Sequence, residues 1–220
     1  NEMFTGVLGH DLRTPLGAIT TAAQVAMIRN ENEKLVKPLS RISNSGQRMA
    51  RMIEQLLDFT RLRVGSGIPL SPEPLDLVSL VRQTMEEFDD VHHDWTLRLS
   101  QAGDTMGSWD ADRLSQVFSN LLANAIQHGS VEHGVTVFVD GQDRDRVRAK
   151  ISNMGEVPAQ LLPRLFEPLA GGRRRRDGSH GLGLGLYITR AIVMAHGGSV
   201  QVRSDTASGT TMTVSLPRHA

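Results

Sequence analysis

Two long stretches of helical apolar periodicity, joined by a short polar turn, occupy most of the first 63 residues. In the first stretch, apolar positions recur at alternating steps of four and three, which is the seam of a helix in a bundle. These positions are Leu8, Leu12, Pro15, Ile19, Ala22 and Ala26. After the turn at 30–32, the second stretch carries Leu35, Leu39, Ile42, Met49, Met52, Leu56 and Phe59. Because an antiparallel hairpin cannot cover both of its apolar faces, we predict that two hairpins pair into a dimeric four-helix bundle.

The composition changes after residue 63. Of the twelve residues 64–75, seven are Gly, Ser or Pro, which is typical of a linker. Beyond them, helical patterns at about 76–91, 111–128 and 182–197 are interspersed with strand-like runs at 96–100, 135–139, 147–152, 199–203 and 211–216. This predicts an α/β sandwich whose sheet is covered by helices on one face. The chain is therefore predicted to be α+β, with a hairpin at 1–63, a linker at 64–75 and the sandwich at 76–220.

Charge and composition narrow the class of protein further. Basic and acidic side chains number 24 each, so we expect neither nucleic acid nor direct membrane contact as a partner of this segment. Residues 1–66 hold 9 basic and 6 acidic side chains, and the remainder holds 15 and 18. The absence of Cys excludes disulfides and thiolate chemistry. No apolar run reaches the ~20 residues that span a bilayer. We expect a cytoplasmic segment of a longer chain, whose anchoring in a membrane stays open.

The sequence around His10 places a histidine beside groups that suit phosphoryl transfer. His10 lies two positions from Leu8, about 200° around a helix, so it is expected to point away from the seam into solvent. Asp11 follows it, and Thr14 lies one turn further along. An attacking imidazole must lose a proton, which an adjacent carboxylate is suited to accept or to orient, and the hydroxyl is suited to aligning water for the reverse hydrolysis. The alternative interpretation is a solvated helix face.

The segment FTGVLGHDLRTPL at 4–16 resembles the phospho-acceptor box of sensor histidine kinases, whose core is H-[ED]-x-x-[TN]-P. The resemblance implies that His10 accepts the γ-phosphoryl group of ATP and passes it to an aspartate of a response regulator. It also implies a homodimer in which Asp11 and Thr14 complete the catalytic set. Phosphatase activity toward the regulator is a further activity that the resemblance suggests.

A second set of polar residues lies on the helical pattern at 111–128. Asn120, Asn124 and His128 fall at i, i+4 and i+8 and therefore share one helix face. Amide oxygens suit Mg²⁺, which takes oxygen ligands and shares them with substrate phosphates. The run resembles the N box of the histidine-kinase, gyrase and heat-shock-protein ATPases. By that resemblance Asn124 is the leading Mg²⁺ ligand, Asn120 lies near the phosphates or the metal, and His128 belongs to the nucleotide site.

Glycines mark the start of the last helical pattern. Gly181, Gly183 and Gly185 alternate with leucines that include Leu184. Such glycines let the backbone N–H groups of a helix start approach phosphates. A dinucleotide fingerprint is disfavoured, because this motif comes late and leads to a C-terminal strand pair. The run GLGLGLYI resembles the kinase G2 box, and Phe166 within LFEPL resembles the F box that begins the lid over the nucleotide.

The remaining boxes surround Asn153 and Thr210. Histidine kinases usually have D-x-G-x-G at the first, and its Asp accepts a hydrogen bond from the adenine amino group. This chain has Asn153-Met154-Gly155 and lacks the second glycine. The Asn153 amide oxygen still accepts, whereas its NH₂ group needs an acceptor of its own. Thr210, in SGTT, resembles the last glycine-threonine box and is expected to touch the site indirectly.

Together, these boxes predict the catalytic core of a sensor histidine kinase. It is expected to bind ATP and Mg²⁺ in residues 76–220 and to phosphorylate His10, which the linker lets the ATP domain reach. Two alternatives stay open, a degenerate kinase that acts as a non-catalytic dimeric scaffold and an ATPase of the gyrase or chaperone type. Against the second, such ATPases place a carboxylate base where this chain has Asn120, and they lack the histidine hairpin.

Overall fold

A computed structural model of the chain describes residues 2–29, 32–89, 93–170 and 182–219, with their side chains except those of 2–13, 33 and 37. The chain forms two units, named here the hairpin unit (Asn1–Gly67 with Arg174–Leu184) and the sheet unit (Ile68–Arg173 with Gly185–Ala220). The α+β class is as predicted. None of the helices within the described ranges is both long enough and apolar enough to cross a membrane.

The hairpin unit contains two helices, α1 (Glu2–Ile28) and α2 (Glu33–Val64). Asn32 caps α2, because its side chain accepts a hydrogen bond from the N–H of Lys34. Gly65 ends α2 in the left-handed conformation, with φ 85°, which glycine adopts without steric cost. The helices approach closely at Gly46, where a Cβ would lie 2.3 Å from Oγ1 of Thr20. The predicted helical hairpin is therefore present.

Helix α1 packs on α2 through a face that lies beside the predicted seam. Leu16 and Ala23 are buried. The predicted seam residues Ile19, Ala22 and Ala26 are exposed in the single chain. Both sets follow the spacing of a bundle helix, so the periodicity alone does not say which set meets the partner within the hairpin.

Helix α2 likewise carries an apolar face that the hairpin leaves uncovered. Four apolar side chains on it are spaced seven residues apart and are 42–53% exposed: Leu35, Ile42, Met49 and Leu56. A spacing of seven is the period of helices that supercoil around a partner. An adjacent face, about 100° around the helix, has Ser43 and Leu57 buried and packs within the hairpin. These four residues of α2 are named here the exposed heptad stripe.

The sheet unit alternates strands and helices along the chain. In order they are β1 (Glu73–Asp76), α3 (Leu77–Asp89), β2 (Leu97–Gly103), β3 (Met106–Trp109), α4 (Ala111–His128), β4 (Val135–Gly141), β5 (Arg146–Asn153), α5 (Gly185–Ala195), β6 (Ser199–Asp205) and β7 (Gly209–Pro217). A short 3₁₀ turn at Leu162–Arg164 lies between β5 and α5.

Five strands form a mixed sheet in the order β2-β4-β5-β7-β6. β2 and β4 are parallel, and the other neighbours are antiparallel. Alternate residues of β4, β5 and β7 are buried, which is the pattern of a sheet covered on one face. Helices α3, α4 and α5 supply the apolar side chains that pack on it, among them Leu77, Leu121 and Ile188, which are at most 1% exposed. The predicted sandwich is confirmed.

A small second sheet was not predicted. β1 pairs antiparallel with β3, and three residues of β1 lie within the predicted linker. Each of these strands is four residues long, and Pro74 is confined to an edge, so their sequences carry little strand signal. Trp109 at the end of β3 is fully buried, and its Nε1 donates to the carbonyl oxygen of Pro217 at 2.6 Å. The pairing is therefore set by tertiary contacts.

Asp76 joins this small sheet to α3. Its carboxylate accepts hydrogen bonds from the hydroxyls of Ser79 (2.5 Å) and Thr105. Burial raises the pKa of Asp76, but these bonds and the backbone N–H groups of Ser79 and Val78 together outweigh it and lower the pKa below its ordinary value of 3.8. The stabilisation is therefore present above about pH 3.8 and is lost as the pH falls through the lowered value.

Candidate functional site

Helix α4 carries the three polar residues predicted for the site beside its buried face. Asp110 begins the helix, because its side chain accepts a hydrogen bond from the N–H of Arg113 at 3.0 Å. The apolar face is buried: Leu114, Val117, Phe118, Leu121, Leu122, Ala125 and Ile126. Asn120 and Asn124 are half-buried, and His128 is exposed at the last residue of the helix.

Asn120 connects α4 to the start of α5. Its Nδ2 donates to the carbonyl oxygen of Gly185 at 3.4 Å, and Gly185 is the first residue of α5. Two residues predicted for the site, 65 positions apart, are thus in contact. The bond uses the amide nitrogen of Asn120, so this side chain positions the helix start as well as offering an amide oxygen.

The loop after β5 lies very close to the C-terminal turn of α4. A Cβ on Gly155 would come within 1.8 Å of the carbonyl oxygen of His128 and 2.9 Å of Nδ2 of Asn153. Gly129, which follows α4, is similarly confined, since its Cβ would lie 2.4 Å from the carbonyl oxygen of Ala125. Only glycine fits at these two positions without a backbone shift. The missing side chains let the loop and the helix end meet around Asn153.

A chain of hydroxyl hydrogen bonds holds this loop in place. Thr210 Oγ1 donates to the carbonyl oxygen of Gly155 at 2.6 Å. Thr210 has one hydroxyl hydrogen, so the 2.7 Å bond between Ser204 Oγ and Thr210 Oγ1 must be donated by Ser204. Ser204 Oγ in turn accepts from the N–H of Val157 at 2.9 Å. The donors point in one direction, from Val157 through Ser204 and Thr210 to Gly155, and such chains reinforce one another.

The turn before Thr210 is held by Asp205. Its carboxylate accepts from the hydroxyl and N–H of Ser208 and from the N–H of Ala207. The bond from the Ser208 hydroxyl, followed by those from the N–H groups of Ser208 and Ala207, lowers the pKa of Asp205. Gly209 follows with φ 72°, and a Cβ there would lie 2.2 Å from the carbonyl oxygen of Asn153. The turn therefore brings β7 against the same loop.

The amide of Asn153 lies at the centre of these contacts. The residue is 8% exposed, and its Nδ2 is buried without a hydrogen-bond partner among the residues that the structure describes. An unpaired buried donor costs about 1–3 kcal/mol, so it is unfavourable unless a ligand completes it. A ligand that carries a hydrogen-bond acceptor on its edge, as a purine base does, would complete this donor.

The structure describes only some of the residues predicted for the glycine run and the lid. Gly181 lies outside the described residues. Gly183 adopts a left-handed conformation with φ 66°, and Leu184 is buried, both in the hairpin unit, whereas Gly185 begins α5 in the sheet unit. Phe166 is half-buried in the segment after the 3₁₀ turn. Leu169, close by, also has a positive φ of 64° and is 63% exposed.

The predicted phospho-acceptor residues lie on α1 of the hairpin unit. His10 and Asp11 are helical, and their side chains are outside those that the structure describes. Thr14 is exposed one turn further along the same helix. The backbone therefore gives the three residues the helical spacing that the sequence predicts.

The chemistry of the polar groups suits a magnesium–phosphate ligand better than a protein-only metal cage. Within the described residues there is no group of three or more His, Cys, Asp or Glu side chains that would hold a metal ion. Asn124 instead offers a half-buried neutral amide oxygen. Mg²⁺ is usually held by one or two protein oxygens together with substrate phosphates and water, so a single amide ligand is compatible with it.

Sequence reasoning missed Ser204 and Gly129. Ser204 contacts Val157, which is 47 residues away, only because β6 and β7 pair with Ser204 opposite Thr210. No motif signals such a contact in advance. Gly129 carries a weak signal, since a glycine directly after a helix is common at its end.

The close approach at Gly155 gives a testable prediction. We expect Gly155→Ala to weaken ATP binding about tenfold or more, because the new Cβ must displace the carbonyl oxygen of His128 or the amide of Asn153. Calorimetric titration with ATP in Mg²⁺ buffer measures this. Gly17→Ala is the control, since nothing lies within 4 Å of a Cβ there. ATP affinity equal to wild type in Gly155→Ala would show that the loop need not approach α4 so closely.

Two protein-family models match the chain. Residues 1–65 match the His Kinase A (phospho-acceptor) domain. Residues 109–220 match the Histidine kinase-, DNA gyrase B-, and HSP90-like ATPase. The first match contains His10, Asp11 and Thr14, and the second contains α4, the Asn153 loop and Thr210.

Curated proteins are similar over most of the chain. A bacteriophytochrome of Pseudomonas aeruginosa is 35% identical over 205 residues, which are 91% of this chain and 28% of that protein. The probable sensor histidine kinase TcrY of Mycobacterium tuberculosis is 35% identical over 212 residues, 92% of this chain and 43% of that protein. The chain therefore spans less than half the length of these relatives.

Solved structures share the fold. Full-length ShkA, crystallised in complex with AMPPNP, has a TM-score of 0.73 and 25% identity, covering 100% of this chain and 47% of that one. ThkA in complex with the response regulator protein TrrA has a TM-score of 0.63 and 22% identity, covering 98% of this chain and 61% of that one. The second likeness supports the fold alone.

Proposed function

Because this chain belongs to the histidine kinases, with both their phospho-acceptor domain and their ATPase domain, we propose that it phosphorylates His10 from ATP and passes the phosphoryl group to an aspartate of a response regulator. The observation that carries the proposal is the loop after β5 of the ATPase domain, in which the buried Nδ2 of Asn153 lacks a partner among the residues that the structure describes. A site built around an orphaned donor is expected to bind a ligand that completes it.

The proposed transfer uses groups of α1. The unprotonated ring nitrogen of His10 forms a bond to the γ-phosphorus of ATP, while the bond from that phosphorus to the bridging oxygen breaks and ADP leaves. The ring then carries an extra positive charge, which is removed when Asp11 accepts the proton from the other ring nitrogen. Positioning and charge stabilisation supply most of the catalysis in such reactions.

The proposed nucleotide site is in the ATPase domain. Asn153 and the loop at Gly155, held by Thr210, are assigned to the base, and His128 closes the same region from the end of α4. The N–H groups at the start of α5 and the preceding glycines are assigned to the phosphates. The residues proposed for this second task are Gly181, Gly183, Leu184 and Gly185, with Phe166 in the lid.

Mg²⁺ is proposed to bind through Asn124. When bound, the ion neutralises charge on the phosphates of the nucleotide. Asn120 lies one turn away and already donates its amide nitrogen to Gly185, so we assign it to holding α5 at the phosphates and to a second, weaker contact with the ion.

Transfer of label from ATP tests the proposed function. We expect the purified chain, incubated with γ-labelled ATP and Mg²⁺, to gain a label that is stable in base and lost in acid, as a phosphoramidate is. Subsequent incubation with a receiver domain should move the label onto that protein. A chain that binds partners but never gains label would support the non-catalytic scaffold instead.

The exposed heptad stripe supports a homodimer. We expect sedimentation to give twice the chain mass of 24.1 kDa, because pairing of two hairpins would cover Leu35, Ile42, Met49 and Leu56. Ile42→Glu with Met49→Glu should shift the protein to the monomer mass, since charges would lie in the bundle core. Asn44→Glu, on an exposed position of the same helix, is the control. A dimer that survives the double change would place the interface elsewhere.

Phosphatase activity toward the regulator is proposed to depend on Thr14. We expect Thr14→Ala to slow dephosphorylation of a phosphorylated receiver domain about tenfold or more, because the variant lacks the hydroxyl proposed to align water, while labelling of His10 by ATP continues. Thr21→Ala, an exposed threonine on the same helix, is the matched control. An unchanged rate of dephosphorylation in Thr14→Ala would remove this role.

A further inference from the structure

The backbone of Asn153 is held by its neighbours, whereas no described hydrogen bond holds the Nδ2 atom of its side-chain amide. β5 pairs in register on both sides, with Val135 opposite on β4 and Thr210 opposite on β7, and the N–H of Gly155 bonds back to the carbonyl of Asn153 at 3.1 Å. Its Nδ2 is buried beside Gly129 and Gly155 and has no partner in the described part of the chain. The backbone of Asn153 is therefore held in place, whereas no hydrogen bond to Nδ2 from the described residues opposes a half-turn of the amide.

A carboxamide presents a donor and an acceptor side by side. Toward adenine, its oxygen accepts from the 6-amino group. Toward a 6-oxopurine, its NH₂ group donates to the 6-oxygen. A half-turn of the amide exchanges the two arrangements.

A carboxylate has no such choice. At the 6-position it accepts from a 6-amino group, but it opposes a 6-oxo group with a second lone-pair oxygen, and this repulsive contact discriminates between the two ligands. The negative charge would also be desolvated at this position, which is 8% exposed. The amide of Asn153 carries no negative charge to desolvate, and it does not discriminate between 6-amino and 6-oxo purines.

We propose that Asn153 makes this a site for purine nucleoside triphosphates with either a 6-amino or a 6-oxo group, rather than one restricted to adenine. The inference rests on the proposed function, because it assumes that the base binds at the Asn153 loop. It adds the determinant of base specificity, which is the freedom of one buried amide.

Inosine triphosphate is the probe, since it differs from ATP only at the 6-position and the N1 proton. We expect calorimetric titration of the wild-type chain in Mg²⁺ buffer to give dissociation constants for the two nucleotides within about threefold of each other. In Asn153→Asp, the preference for ATP should rise to about tenfold or more, because the carboxylate opposes the 6-oxo group. The wild-type ratio decides the matter even where the variant fails to fold.

The control is Asn44→Asp, which makes the same change of charge at an exposed position of α2 and should leave the ratio as in wild type. Wild-type binding of ATP with at least tenfold weaker inosine triphosphate would overturn this inference and leave the proposed function intact. A chain that binds neither nucleotide would overturn both.

Discussion

His10→Gln is expected to abolish transfer of label from γ-labelled ATP to the chain, with a loss of about 1000-fold or more. The nucleophile itself is removed, and a carboxamide has no ring nitrogen to attack phosphorus, so no neighbouring group restores the reaction. Binding of ATP should be unchanged, since His10 is on α1 and the nucleotide residues are assigned to the ATPase domain. The measurement is acid-labile label per chain, with ATP affinity by calorimetry beside it.

His133→Gln provides the matched control for that experiment. His133 is exposed in the loop between α4 and β4, and its replacement should leave labelling as in wild type. Equal label in His10→Gln and wild type would show that another residue accepts the phosphoryl group. Loss of ATP binding in His10→Gln would mean that the substitution acts through the fold instead of the chemistry.

Asn124→Ala is expected to lower the affinity for Mg-ATP roughly 100-fold or more, which corresponds to about 2.8 kcal/mol. The substitution removes the amide oxygen assigned to Mg²⁺ but leaves a good helix former in α4. Folding should therefore persist, and thermal unfolding of the variant checks this. When Mg²⁺ is omitted from the buffer, the difference in ATP affinity between the variant and wild type should be much smaller. Neither protein can then make the contact between residue 124 and the ion.

Asn44→Ala, an exposed asparagine of α2, makes the same chemical change away from the site and should bind Mg-ATP as wild type does. Unchanged affinity in Asn124→Ala would show that the ion is held by other residues. An equal loss with and without Mg²⁺ would assign Asn124 to the nucleotide itself.

The long elements of the fold are predictable from sequence because their signals are local. The heptad spacing of α2 and the alternation in β4, β5 and β7 are visible in single short windows. β1 and β3 could not be predicted in this way, because four residues with a proline or glycine among them have almost no strand propensity. They exist because Trp109 and Asp76 anchor them to distant groups.

The candidate site divides in the same way. Asn120, Asn124 and His128 are recognisable on one helix face, because the helical period alone places them there. That Asn120 contacts Gly185, or that Ser204 completes the support of Gly155 through Thr210, depends on partners far along the chain. The first contact follows from the packing of α4 beside α5 and the second from the register of β6 with β7, and no local window contains either.

By itself, the sequence determined the residue chemistry, the helical and strand periods, and the order of the motifs that resemble a histidine kinase. The tertiary structure decided which apolar face of the hairpin stays exposed, and that the amide of Asn153 is buried with its donor unpaired among the residues that the structure describes. The reason is physical: periodicity and side-chain chemistry are properties of neighbouring residues. Burial and hydrogen-bond partnership are decided only when distant segments compete for the same core.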